Sequence, residues 1–327
     1  MRRIRACVTG GNGFIGRHLI KELCENNFSV TILSRRTDTR FPEGVDIVQG
    51  DLTSDDCNLD GFLEACDVIF HCAGEIYDES KMKSLHVSGT QKLVDKTLET
   101  IKNSKKPIHW VQLSSVGVYG HERGKSSKER VVTEGSPLMP NGEYETTKAM
   151  SDDIIKGTVS QNGFTYTIVR PSNVIGEDMT NSSLKSLAGV IQKRAFFYIG
   201  EKGTISTYIH VNDVVKLLVT CAKENKAKGE IFNISNDCIL EDVVNSIADS
   251  LQVKRPKLRL PESVIRTTEQ VLSTCIKLPL TKQGIDVLTS RTTYPNKKLQ
   301  EYLEFKPKVS IPAVIGNTVV NDLERRC

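Results

Sequence analysis

The run Cys7-Val8-Thr9-Gly10-Gly11-Asn12-Gly13-Phe14-Ile15-Gly16 constrains the fold more than any other stretch of this 327-residue chain. An apolar, β-branched run feeds glycines spaced G-x-x-G-x-x-G. An amphipathic helical pattern follows, with Leu19, Ile20 and Leu23 set against Lys21, Glu22 and Glu25. Glycine permits positive φ in a tight strand-to-helix turn. Without a Cβ it lets a pyrophosphate reach backbone N–H groups at the positive end of the helix. Strand, glycines and helix in this order predict a dinucleotide cradle made of Gly10, Asn12, Gly13, Phe14, Ile15 and Gly16. The competing reading is a glycine-rich turn in an ordinary βα unit.

Downstream, apolar runs alternate with helical patterns to about residue 170. Strands are predicted at Ala6–Thr9, Val30–Leu33, Asp46–Val48, Val68–Cys72, Trp110–Leu113 and Tyr166–Val169. Helices are predicted near Ile15–Asn26, Lys83–Lys102 and Thr146–Asn162. Strands apolar on both faces imply a parallel sheet covered on each side, hence an α/β, doubly wound Rossmann-type fold. Residues 121–143 are polar and glycine/proline-rich and read as a long surface loop, a frequent place for lids and binding loops. After Arg170-Pro171, a loop at Ser172–Ser183 precedes a mixed second half, with a strand at Glu230–Ile234 and helices at Leu184–Lys193, Asp213–Glu224, Leu240–Leu251 and Pro312–Leu323. The expected organisation is a dinucleotide-binding domain over 1–172, joined by about 205–235. A smaller α/β substrate lobe comes from 173–204 and 236–327.

Composition narrows the function class. A formal net charge of +4 with dispersed Lys and Arg does not suit a nucleic-acid partner. No apolar stretch approaches a membrane span. The N-terminal Met-Arg-Arg-Ile-Arg has no apolar core of a secretory signal. Nine cysteines without a C-x-x-C pair read as reduced thiols. A cytoplasmic enzyme with a small-molecule substrate and no metal is expected.

Two further features carry chemistry. An acid that binds a ribose 2′-hydroxyl is expected at the end of the second strand, but the residues there are Ser34-Arg35-Arg36. Guanidiniums suit a 2′-phosphate, so Arg35 and Arg36 favour NADP(H), with NAD(H) as the alternative. After the third strand comes Gly50-Asp51-Leu52, where a short acid would meet the adenine edge; Asp51 reads equally as a helix N-cap. Tyr144 and Lys148 form a Y-x-x-x-K pair on one helical face. Lowering a phenol from about 10 to about 7 takes roughly 4 kcal/mol, supplied by an ammonium and an oxidised nicotinamide in a dry site. The spacing recurs at Tyr77/Lys81, Tyr198/Lys202, Tyr294/Lys298 and Tyr302/Lys306. Only Tyr144 opens a helix some thirty residues after a strand ending in paired hydroxyls, Ser114-Ser115.

With these residues assembled, the sequence resembles the extended short-chain dehydrogenase/reductases, in particular the NAD-dependent epimerase/dehydratase group. The marks are Thr9–Gly16, Gly50-Asp51-Leu52, His71-Cys72-Ala73-Gly74, Val87-Ser88-Gly89-Thr90, Ser114–Gly120, Tyr144…Lys148, Arg170-Pro171-Ser172-Asn173-Val174 and Tyr208–Val214. The resemblance implies that Tyr144 is the acid–base, that Lys148 holds the nicotinamide ribose and lowers the phenol, and that Ser115 binds the substrate oxygen. It implies cofactor contacts from Asp51, Leu52, Ala73, Gly74 and Pro171, and substrate contacts from Ser115, Val116 and Asn173. Asn181 is a further polar substrate contact in the second-lobe loop. It also implies a homodimer through helices near 82–102 and 144–161.

Departures shape the expected reaction. Dehydratases carry an acidic pair after the catalytic hydroxyl; Val116 and Gly117 stand there, so dehydration is disfavoured. Sugar-nucleotide epimerases place a diphosphate-clamping arginine before the Asp-Tyr-Ile-His-Val segment. Here Ser206-Thr207 precede Tyr208, leaving Arg194 or Arg291 as substitutes. The family's helix asparagine is His86. The leading expectation is a 4-epimerase or 4-ketoreductase of a nucleotide-diphosphate sugar. The alternatives are an NADPH-dependent ketone reductase or hydroxysteroid-like dehydrogenase, and a non-catalytic NADP-binding regulator.

Overall fold

The computed structural model describes residues 2–37, 41–120, 129–158, 163–179, 182–272 and 282–324. Its centre is a parallel sheet of seven strands: β1 (Arg5–Thr9), β2 (Ser29–Ser34), β3 (Val45–Gln49), β4 (Val68–His71), β5 (Ile108–Leu113), β6 (Phe164–Pro171) and β7 (Glu230–Ile234). Their order is β3-β2-β1-β4-β5-β6-β7. The chain reverses direction of growth between β1 and β4, the switch point at whose carboxyl edge ligands bind in such sheets.

Helices α1 (Phe14–Glu25), α2 (Thr90–Ser104), α3 (Glu143–Gly157), α4 (Ser182–Gln192), α5 (Val211–Lys223), α6 (Leu240–Ser250) and α7 (Ile311–Glu324) complete the main layers. One sheet face buries Ala6, Val8, Val30, Ile32 and Phe70 against Leu19, Ile20 and Leu23 of α1 and Val214, Leu217 and Leu218 of α5. The other buries Cys7, Ile69, Trp110 and Ile168 against Leu93, Val94 and Ile101 of α2 and Ile155 of α3. Alternate residues of one strand thus serve opposite cores, which is why the strands read as continuous apolar runs. A third core joins α4, α6 and α7 through Leu184, Ala188, Val243, Ile247, Ile311 and Ile315.

Three local expectations are corrected. The helix expected from Lys83 to Lys102 is interrupted: Glu79–Lys83 is α-helical, Ser84–Gly89 is a π turn, and α2 begins at Thr90. Such bulges place a helical side chain at an unusual angle, often at sites. The segment Ser172–Ser183 contains a short strand, Asn173–Ile175, parallel to Ile205–His210, which pairs antiparallel with Asn236–Ile239. Within 121–143, residues Arg130–Val131 pair with Thr292–Thr293, and Val132 is buried; residues 121–128 lie outside the described residues.

Candidate active site

The glycine turn does its work mainly through packing. Gly10 has φ +71°, and a Cβ there would sit 2.6 Å from the Cys72 carbonyl and the Ala73 nitrogen. A Cβ on Gly16 would run into the Gly10 carbonyl. These two glycines let β1, the start of α1 and the end of β4 close on one another. Gly13 is the residue left for a phosphate. It caps α1 with no side-chain hydrogen bond, and no acid stands in the first turn. Phe14 and Ile15 follow it, half-buried. An uncapped helix start with bare N–H groups fits an anion, so these residues fit a dinucleotide.

At the end of β2, Asn12 Nδ2 donates to Ser34 Oγ (2.7 Å), which donates to the Arg36 carbonyl (2.6 Å). Ser34 is thus a turn-former, and Arg35 and Arg36 are exposed. Asp51 accepts from the backbone and hydroxyl of Thr53, which, with Arg35 and Lys92 nearby, holds its carboxyl below the usual range against burial. Leu52 is buried in the core. Ala73 N donates to Thr9 Oγ1 (3.3 Å), and Gly74 follows at the carboxyl edge of β4. Pro171 ends β6 and is buried.

The paired serines separate cleanly. Ser114 is buried and donates to Asp152 Oδ2 at 2.9 Å. Ser115 is half-buried, accepts from Gly117 N at 3.0 Å, and stands beside the Tyr144 phenol, whose ionisation it favours. Only Ser115 therefore faces the proposed acid–base. Lys148, one helical turn after Tyr144 on α3, is buried and donates to the Leu113 carbonyl at 2.6 Å. An ammonium has three donors, so the two beyond Leu113 fit ribose hydroxyls. Burial lowers its pKa, while Asp152 and Cys72 hold it up.

The expected lowering of the phenol is not seen in the chain by itself. Burial pushes Tyr144 up to about 12, Glu145 adds to the rise, and Ser115 opposes it. The Lys148 ammonium is drawn to Leu113 and Asp152 instead.

Beneath the site lies a buried ion pair. Arg170 donates through Nε (3.1 Å) and Nη2 (2.9 Å) to Asp152 Oδ2, and through Nη1 to the Tyr119 hydroxyl (2.8 Å). The Tyr119 hydroxyl in turn donates to Asn233 Oδ1 (2.9 Å).

His86 sits in the π turn. Its Nε2 accepts from Glu75 N (2.8 Å), and its Nδ1 lies 2.8 Å from Thr147 Oγ1. Since Thr147 donates to the Glu143 carbonyl, Nδ1 carries the proton. The ring stands edge-on to Tyr144, centroids 5.8 Å apart. His71 bonds Thr9 and Thr90, and the His210 ring accepts from Asn212 N to cap α5, so both imidazoles are taken up by the fold.

Substrate-side expectations are partly revised. Val116 packs with Val118, Tyr119, Val132, Ala149 and Tyr294, so its side chain is spent on the core. Asn173 is exposed but donates to the Thr207 carbonyl (3.1 Å). Asn181 lies outside the described residues. Arg291 donates to the Lys202 carbonyl (2.7 Å) and lies 3.6 Å from the Glu201 carboxylate; Arg194 is exposed.

One residue escaped sequence reasoning. Glu145 Cγ lies 3.1 Å from where a Gly117 Cβ would be, and Ser115 Oγ 3.3 Å from the same point. The space beside Ser115 that Val116 and Gly117 leave without an acid is filled from α3. The only signal was a glycine and a glutamate 28 positions apart.

Among the described residues there is no metal-ligating cluster, and no helix is long and apolar enough to cross a membrane. The fold is a Rossmann-type sheet, and it brings Tyr144, Lys148 and Ser115 together at the carboxyl edge of β5. Residues 6–235 match the NAD dependent epimerase/dehydratase family, and the chain belongs to it. It is an enzyme of the epimerases, dehydratases and reductases gathered there. A 3beta-hydroxysteroid-dehydrogenase/decarboxylase (isoform 2) of Arabidopsis thaliana is 23% identical over 352 residues, covering 95% of this chain; the chain spans 61% of that relative's length. The human dTDP-D-glucose 4,6-dehydratase is 26% identical over 253 residues, covering 71% of this chain and 69% of that one. Among solved structures, the UDP-glucose 4-epimerase of Thermotoga maritima shares the fold with a TM-score of 0.72 at 17% identity, covering 99% of this chain and 100% of that one.

Proposed function

We propose that this enzyme moves a hydride between NADP(H) and a secondary alcohol or ketone at C4 of a nucleotide-diphosphate sugar, as a 4-epimerase or 4-ketoreductase. The observation that carries the reading is the meeting of Tyr144 and Ser115 at the carboxyl edge of β5, with the partly satisfied Lys148 ammonium, held by the Leu113 carbonyl, one turn behind. Tyr144→Phe is expected to cut turnover roughly 10²–10⁴-fold while NADPH binding persists. Full turnover by that variant refutes the assignment. The preference for NADP(H) rests on exposed Arg35 and Arg36 at a strand end without an acid. An unchanged NADP(H) affinity in Arg35→Asp removes it. Homodimerisation through α2 and α3 is proposed from the family resemblance; a monomer in sedimentation at micromolar concentration refutes it.

A second reading, reduction of an apolar ketone without a diphosphate, has one observation in its favour. The Arg291 guanidinium is already held by Lys202 and Glu201, so it is not a ready clamp. Following NADPH absorbance with a keto-sugar nucleotide and with a 3-ketosteroid separates the two. Consumption of the steroid alone selects the second.

A further inference from the structure

We infer that His86 is a positioning residue of this site, its two ring nitrogens tying the loop after β4 to α3 and its ring bracing that of Tyr144. This rests on the hydride-transfer reading above.

Three contacts meet at the imidazole. Nε2 accepts from Glu75 N at 2.8 Å, Nδ1 lies 2.8 Å from Thr147 Oγ1, and the ring stands at 81° to that of Tyr144, centroids 5.8 Å apart. The partners come from two sides of the site. Glu75 follows Ala73 and Gly74 at the carboxyl edge of β4, beside the switch point of the sheet. Tyr144, Thr147 and Lys148 share one face of α3. Gly74 runs past the ring: a Cβ there would lie 3.5 Å from Nε2.

The loop is built around the residue that His86 holds. Glu75 Oε1 accepts from the backbone N–H groups of Ile76 (2.9 Å), Tyr77 (2.8 Å) and Asp78 (3.2 Å). The turn is thus knotted on one side chain, and the bond from Glu75 N to His86 fixes where the knot sits against α3. His86 has little freedom of its own. It is buried, and its carbonyl accepts from Thr90 Oγ1 at 2.6 Å across the π turn. One residue of helix register is about 100° of rotation, so the aim of the ring depends on that turn.

The nitrogens have fixed roles. Thr147 donates to the Glu143 carbonyl, so Nδ1 donates to Thr147 and Nε2 accepts from Glu75. Only a neutral ring does both. Lys148 and Tyr144 face it from α3, Glu75 from the loop and His71 from β4. Burial first and the Lys148 charge second hold it neutral, at about 4, over the opposing pull of Glu75. The acceptor and the ring therefore act on different parts of the reaction. The acceptor sets the loop whose Ala73 and Gly74 the proposed cofactor passes, and the ring sets the phenol.

A reciprocal pair of variants separates the two. His86→Gln keeps an acceptor at the reach of Nε2 and removes the ring; His86→Phe keeps a ring and removes the acceptor. NADPH affinity is read by fluorescence titration. Turnover is read with UDP-glucose epimerised at C4, dTDP-4-keto-6-deoxyglucose or a 3-ketosteroid, whichever wild type converts. In His86→Gln the NADPH dissociation constant should stay within twofold while kcat at saturating cofactor falls roughly 10- to 100-fold, the cost of a misplaced acid–base. In His86→Phe the dissociation constant should rise roughly tenfold, the loss of one hydrogen bond, with kcat falling less than in the glutamine variant. Thermal unfolding verifies both folds. If the phenylalanine variant does not fold, His86→Asn, too short to reach Glu75, should show the same rise in dissociation constant. Binding and kcat that stay within twofold in both variants, or that fall in parallel, mark a histidine of the core alone; the inference is then overturned and the proposed function stands. If wild type converts none of the three substrates, the proposed function and this inference fall together.

Discussion

Asp152→Asn is the most exposed consequence of the buried architecture. Asp152 and Arg170 are both essentially inaccessible to water, at 0% and 1%. A single oxygen, Oδ2, takes two bonds from Arg170 and one from Ser114. The same carboxylate is the main charge holding the Lys148 ammonium up. Asparagine preserves the shape and one acceptor but leaves two buried cations without a counter-charge. Breaking a buried pair from one side costs about 3–5 kcal/mol, because the surviving charge cannot be rehydrated. For a chain of 327 residues the unfolding entropy is about 0.7 kcal/mol/K, so the midpoint should fall by about 4–7 °C. Calorimetry of cofactor-free protein measures this. The site should respond as well. Lys148 would deprotonate at lower pH, so the alkaline limb of the pH–rate profile should move down. A midpoint within 1 °C of wild type together with an unmoved alkaline limb would show that the carboxylate supports neither cation.

Gly10→Ala forces a Cβ into the Cys72–Ala73 peptide at positive φ; it should destabilise by about 2 kcal/mol or more and weaken NADPH binding, and wild-type affinity would contradict the close approach. Burial lowers His71 to about 3 and His86 and His109 to about 4. The unfolded chain takes up protons near pH 6.5 and the native chain does not, so stability should fall as pH drops from about 6.5 towards 4; urea midpoints that are flat over this window would refute neutral buried imidazoles. For Tyr144, raised to about 12, the unfolded phenol ionises near 10 and the native one later, so stability should fall as pH rises from 10 towards 12, a slope that Tyr144→Phe should reduce.

What the amino-acid order determined by itself are features whose cause is local. The β-branched runs, the glycines at three-residue spacing and the Tyr144/Lys148 turn are each set within a few residues. Helix and strand periodicity, and the steric freedom of glycine, act over that range. Even there, Gly10 answers to more than its own turn, because the Cys72–Ala73 peptide that crowds it arrives from more than sixty positions away. The resemblance had pointed to Ser115, and tertiary structure supplied the physical reason, since Ser114 is claimed by Asp152 on another element. It also decided that Arg291 is occupied, that a π turn aims His86 at Glu75, and that Glu145 fills the space over Gly117. These outcomes depend on distances between elements set by core packing on both faces of the sheet. No spacing along the chain encodes such distances, because one or two ångströms of helix placement decide which polar group meets which.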